Sequence, residues 1–183
     1  MTNAQHPSHR AEAPSRLLGR YGPWAVVTGA SDGIGRAFAL ELAKAGVNVV
    51  LVARRGGVLT EVARELEAKF SVETMVVAAD LALPTGVDEV VDRTRGLDIG
   101  LLIASAGFGT SGPFVEAALG EELEMIDVNC RAVAALSHHF AGRFFRQGRG
   151  GIVLMSSLVA FQGVPRAANY AATKAYVQAL AEG

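Results

Sequence analysis

The chain has 183 residues, 50% of them hydrophobic and 19% charged, with a formal charge of −1. That is the length of about one domain with a substantial core. With no dense Lys/Arg block and a pI of about 6.4, it offers no electrostatic footprint for nucleic acid or an anionic membrane.

Residues 1–20 are polar, carry Pro7 and Pro14, and lack the apolar h-region of a secretion signal. A disordered extension is expected there, followed by a domain over residues 21–183. The single cysteine, Cys130, cannot make an internal disulfide, and no Cys/His cluster has metal-ligand spacing. No metal is expected, and the reducing cytoplasm is the natural setting.

The apolar run 24–28 breaks at Gly29, and residues 34–45 continue with helix formers up to Gly46. A β-branched run at 47–53 precedes helical spacing at 59–70, a third strand at 73–78 runs into Asp80, and 85–95 is a short helix. A fourth strand is expected at 99–104, a long helix at 121–145, a fifth strand at 151–155 and a last helix at 168–182. Adjacent His138 and His139 fall within the long helix and read as surface or partly buried residues. Strands that alternate with helices, and are apolar on both faces, predict an α/β fold with a doubly wound parallel sheet covered on two sides.

Thr28-Gly29-Ala30-Ser31-Asp32-Gly33-Ile34-Gly35 places three glycines between the first strand and its helix. The backbone must turn tightly there and can approach a pyrophosphate, with the free first-turn amides of the helix as donors. A purely structural turn is the alternative. About twenty residues on, a NAD binder carries an acidic residue for the ribose 2′-hydroxyl. This chain has Ala53-Arg54-Arg55 instead. A guanidinium fits a 2′-phosphate, which favours NADP(H) over NAD(H), although two arginines after a strand also serve solubility. Asp80 could accept a hydrogen bond from the adenine amino group or cap its own loop. Ser105, Ala106 and Gly107 follow the fourth strand and are small enough for a ligand to come close. Strands one and four are neighbours at the switch point of such a sheet, so the two turns flank one crevice.

Tyr170-Ala171-Ala172-Thr173-Lys174 opens the last helix with an i, i+4 pair on one face. A phenol ordinarily ionises near pH 10; a neighbouring ammonium favours the phenolate and brings the group toward working pH. A solvated helix face shows the same pair when nothing else surrounds it. Ser157, thirteen positions upstream of Tyr170, could hold a substrate oxygen, and Ser156 is the neighbouring candidate.

Together these residues resemble the short-chain dehydrogenase/reductase family from about Pro23 to the end of the chain. Thr28 to Gly35 fits its Thr-Gly-x-x-x-Gly-x-Gly turn, Asp80-Leu81 its adenine-side acidic position, and Asn129, Ser157, Tyr170 and Lys174 its catalytic tetrad. The resemblance implies a Rossmann-like, three-layer α/β/α fold and an NADP-dependent oxidoreductase. It would move a hydride between nicotinamide and a small carbonyl or alcohol substrate. Tyr170 would exchange a proton with the substrate oxygen, Lys174 would hold the nicotinamide ribose and act on the phenol, and Ser157 would hydrogen-bond the substrate oxygen. Asn129 would anchor a water through its backbone. Family members often assemble as homo-oligomers through the long helix and the Tyr/Lys helix.

Two departures stand out. Ser105 replaces the asparagine of the family's Asn-Ala-Gly, losing an amide that ties neighbouring strands. The chain ends at Gly183, before the family's further strands. A C-terminally shortened sheet lacking the last strands is therefore expected, with an apolar edge at 151–155, weak NADPH binding and slow turnover. The alternative function is a non-catalytic nucleotide-binding module or an inactive fragment. Substrate identity is not readable from the loop 108–114.

Overall fold

The computed structural model describes residues 16–183. Its strands are β1 (Trp24–Thr28), β2 (Asn48–Ala53), β3 (Thr74–Ala78), β4 (Ile99–Ala104) and β5 (Gly151–Leu154). All pair in parallel, in the order β3-β2-β1-β4-β5. The chain builds outward from β1 in one direction, then returns to lay β4 on its other side. The switch point therefore falls between β1 and β4, as the alternation of strands and helices predicts.

Successive side chains along a strand point to opposite faces, and the sheet carries a separate core on each. Ala25, Val27, Val49, Leu51, Leu101 and Ile103 pack against Leu42 of α2 (Gly33–Lys44) and Leu59, Val62 and Leu66 of α3 (Gly56–Phe70). Leu18 and Tyr21 of α1 (Arg16–Tyr21) join that layer. On the opposite face Val26, Val50, Val52 and Leu102 meet Val87 and Val90 of α4 (Pro84–Arg93) and Leu136, Phe140 and Phe144 of α6 (Val133–Gln147). The last helix, α7 (Ala168–Glu182), docks Val177 beside Ala104, Val133 and Leu154. The result is the three-layer α/β/α, Rossmann-like sheet. Strand β5 lies at its edge with all four residues half-buried.

Beyond shifts of one to three residues at element ends, the structure differs from the sequence expectation in three places. Residues 16–20, read as part of a disordered extension, form α1, because Leu18 and Tyr21 find apolar partners on the sheet; residues 1–15 lie outside the described residues. The single helix expected at 121–145 is instead α5 (Leu119–Ile126), a π-helical segment at Asp127–Ala132, and α6. The wider i→i+5 turn contains Asn129, whose side chain bonds both the segment after β4 and α7. Short 3₁₀ turns at Phe114–Glu116 and Leu158–Phe161 carry no periodic signal in the sequence. Among the described residues, no helix is long and apolar enough to cross a membrane.

Candidate active site

A cleft of about 690 Å³ opens at the C-terminal ends of the strands. It is lined by Gly29, Ser31, Asp32, Gly33, Ile34 and Gly35 after β1, Arg54 and Arg55 after β2, and Asp80 and Leu81 after β3. Ser105, Ala106 and Gly107 after β4, together with Tyr170 and Lys174 of α7, complete the residues expected there from the sequence. Asn129 and Ser157 do not line it; their neighbours Val128 and Ser156 do.

The turn after β1 is backed directly by the turn after β4. Gly29 has φ +69°, and a Cβ there would stand 3.0 Å from both the Cα and N of Ala106. A Cβ on Gly35 would run into the Gly29 carbonyl oxygen. Gly29 is needed for the two turns to meet, and Gly35 for α2 to start this close to the end of β1. The junction is tied by Thr28, whose Oγ1 accepts from the amides of Ser105 and Ala106, each at 3.0 Å. Asp32 caps α2 by accepting from the Gly33 amide at 2.7 Å. The next first-turn amides have no intrahelical partner by construction, and Ile34 and Gly35 line the cleft.

Both arginines after β2 face acidic neighbours. Arg54 Nη1 lies 3.1 Å from Oε1 of Glu124 on α5, while Arg55 Nη2 donates to Ser31 Oγ at 3.1 Å and lies 3.6 Å from Asp32 Oδ2. Asp80 does cap its loop, accepting from the Ala82 amide at 3.0 Å through Oδ1; the residue still lines the cleft, so capping does not exclude a contact there.

At the other end, Lys174 is only 7% exposed. Its Nζ donates to the Met155 carbonyl at 2.8 Å and lies 5.7 Å from the centre of the Tyr170 ring. Burial lowers the Lys174 pKa from its usual 10.5, opposed by the negative charge of Cys130 when that group is ionised. Cys130 is itself pushed up by burial, with the Lys174 charge acting the other way. The Tyr170 hydroxyl has no hydrogen-bond partner among the described residues. Asn129 is fully buried. Its Oδ1 accepts from the Phe108 amide at 3.1 Å, and its Nδ2 donates to the Phe108 carbonyl at 2.9 Å and to Thr173 Oγ1 at 3.0 Å. Ser156 donates its hydroxyl to the Lys174 carbonyl at 3.0 Å, whereas Ser157 caps the 3₁₀ turn by accepting from Val159 N at 3.4 Å. The Ser157 proton therefore has no acceptor among the described residues.

The model of the short chain dehydrogenase family matches residues 23–183. The chain belongs to that family. A 7beta-hydroxysteroid dehydrogenase of Clostridium sardiniense is 35% identical over 164 residues, which cover 90% of this chain and 63% of that protein. A very-long-chain 3-oxoacyl-CoA reductase of Aspergillus clavatus is 38% identical over 170 residues, covering 90% and 49% respectively. The solved short-chain dehydrogenase of Sphingobium yanoikuyae in complex with NADPH superposes with a TM-score of 0.84 at 36% identity, over 88% of this chain and 63% of that one. The chain thus spans between about half and two-thirds of the length of these relatives.

In this short-chain dehydrogenase fold the hydroxyl of Thr28 ties the end of β1 to the turn after β4. Thr28 had been legible as the last residue of a strand and the first of the glycine turn, but not as a tie to the turn after β4. Thr173, inside the Tyr-x-x-x-Lys segment, is the buried partner of Asn129. The Met155 carbonyl that holds Lys174 is a backbone atom and leaves no trace in residue type.

Proposed function

We propose that the cleft binds NADP(H) and that Tyr170, Lys174, Ser157 and Asn129 serve hydride transfer to or from a carbonyl or alcohol substrate. One observation carries this reading. The buried ammonium of Lys174 lies over the Tyr170 ring at one end of a cleft whose other end holds a glycine cradle and two arginines. The cradle fits a dinucleotide, because Gly29 and Gly35 leave no room for a Cβ and the first turn of α2, with its free amides, lines the cleft beside them. Arg54 and Arg55 would take a 2′-phosphate, in keeping with the NADPH held by the Sphingobium relative.

When bound, the cofactor supplies the hydride. Tyr170 gives a proton to the substrate oxygen in reduction and takes one in oxidation, its hydroxyl being uncommitted. Lys174 keeps a positive charge next to the phenol, and Ser157, with a free proton, stabilises charge developing on the substrate oxygen. Asn129 spends its whole side chain on Phe108 and Thr173, holding the loop after β4 against α7. The relatives act on hydroxysteroids and on 3-oxoacyl-CoA, so ketones and secondary alcohols on large apolar skeletons are the substrates to try. A single unpaired cysteine suits the cytoplasm.

The test is a thermal melt with saturating NADPH, NADH or neither, followed by turnover assays. At about 100 Kd a ligand adds about 2.7 kcal/mol, which raises the melting temperature by about 5–10 °C. NADPH should do so, NADH should do less, and Arg54→Ala should remove the difference. Tyr170→Phe should keep the NADPH shift and lose carbonyl reduction. No shift with either nucleotide would defeat the proposal.

A further inference from the structure

Glu122, on the first turn of α5, is only 5% exposed, and nothing in the chemistry proposed above uses it. A buried carboxyl is costly unless donors reach it, and both of its oxygens are reached. The Thr110 hydroxyl donates to Oε1 at 2.6 Å and the Asn169 amide to Oε2 at 2.7 Å. The same Asn169 amide also reaches the Glu122 carbonyl oxygen at 3.0 Å. Distances this short mark strong, directional bonds.

The two donors have one neighbour in common, Tyr170. Asn169 precedes it in the first turn of α7. Thr110 follows Gly109, whose backbone lies against the ring so closely that a Cβ there would stand 2.8 Å from Cδ2 and 3.0 Å from Cγ of Tyr170. Helix α7 also begins without a local device, because Ala167 at its N-cap makes no side-chain cap. The tether from Asn169 to α5 takes that place. A second strap, from the Gly112 amide to the Arg166 carbonyl at 2.8 Å, joins the same loop to the approach of α7.

We infer that Glu122 is a positioning residue for Tyr170. It is a buried bracket that holds the Gly109–Thr110 loop on one side of the ring and the start of α7 on the other, fixing the direction in which the hydroxyl enters the cleft. Its effect on turnover rests on the function proposed above; its effect on the ring does not.

The chain contains three tyrosines, Tyr21, Tyr170 and Tyr176, so 3-fluorotyrosine labelling gives three ¹⁹F resonances, with Tyr170 assigned through Tyr170→Phe. Glu122→Ala and Thr110→Val should shift or broaden the Tyr170 resonance alone. Glu122→Gln should return it close to the parent, since its oxygen still accepts from Thr110 and the Asn169 amide can turn to meet the new NH₂. With NADPH and a ketone that the parent reduces, Glu122→Ala should lower kcat at least about tenfold while the NADPH KM stays within about twofold. A Tyr170 resonance unmoved in both Glu122→Ala and Thr110→Val, or all three resonances moving together, would overturn the inference. If Glu122→Ala does not fold, Thr110→Val decides it alone. A parent that neither binds NADPH nor reduces a carbonyl would sink the proposed function and leave the ¹⁹F result standing.

Discussion

The ammonium of Lys174 donates to the carbonyl of Met155 at 2.8 Å, fastening α7 to the end of β5. The bond gives a buried charge a partner, but burial still lowers the pKa from 10.5. The folded chain therefore disfavours the protonated form. As pH rises through the folded value toward 10.5, the unfolded chain keeps a proton that the folded chain has released, so stability rises. Below the folded value the penalty is fully present and constant. Urea melts carried up in pH to about 10.5 should show the parent gaining on Lys174→Met toward the alkaline end. A stability difference independent of pH would contradict this assignment.

Thr28 accepts from two amides across the switch point. Thr28→Val keeps the shape and leaves both amides without a partner, at a cost of about 2–3 kcal/mol. Thr28→Ser should recover most of the loss. Because the turn after β1 rests on Ala106, the valine variant should also weaken NADPH binding. Chemical denaturation and an NADPH titration on the same three proteins check both effects.

Arg54 is held by Glu124 across the rim of the cleft, at 3.1 Å between half-exposed groups. A 2′-phosphate has to compete with that carboxylate. Exposed pairs are worth about 1 kcal/mol at most, so Glu124→Gln should tighten NADPH binding no more than about fivefold. It should leave NADH unchanged. Titrations by NADPH fluorescence at low and high salt would show the advantage shrinking as salt screens the pair.

His139 lies against Phe140, edge to face, at 5.0 Å between ring centres. Burial first, then the charges of Arg143, Arg146, His138 and Arg95, lowers its pKa from 6.5. A depressed value means that the folded chain stays neutral while the unfolded chain takes up a proton. Stability should fall as the pH drops from 6.5 through the folded value. His139→Gln, neutral throughout, should lose less stability than the parent between about pH 7 and pH 5. Parallel thermal melts across that range measure the difference.

Strand positions, the switch point and the glycine turn were legible because they depend on short-range rules. β-Branched runs mark the strands, an abrupt run of glycines marks the tight turn, and Tyr170 and Lys174 share a face through helical spacing alone. Every residue placed on the nucleotide side by those rules does line the cleft. Ser157 was found by spacing and Asn129 only through the family resemblance, yet neither lines it, since one caps a turn and the other is buried behind the loop after β4.

The amino-acid sequence by itself determined where the five strands and most of the helices lie and which side chains to expect at the cleft, because those follow from local conformational preference and residue type. Tertiary structure alone decided how these groups are held. Thr28 reaches the amides of Ser105 and Ala106 only because β1 and β4 end side by side. Lys174 is anchored only because β5 delivers the Met155 carbonyl to α7. Glu122 and Asn169 meet across 47 positions of sequence. Such bonds depend on where distant backbone atoms come to lie, and a backbone carbonyl has no residue type by which to announce itself.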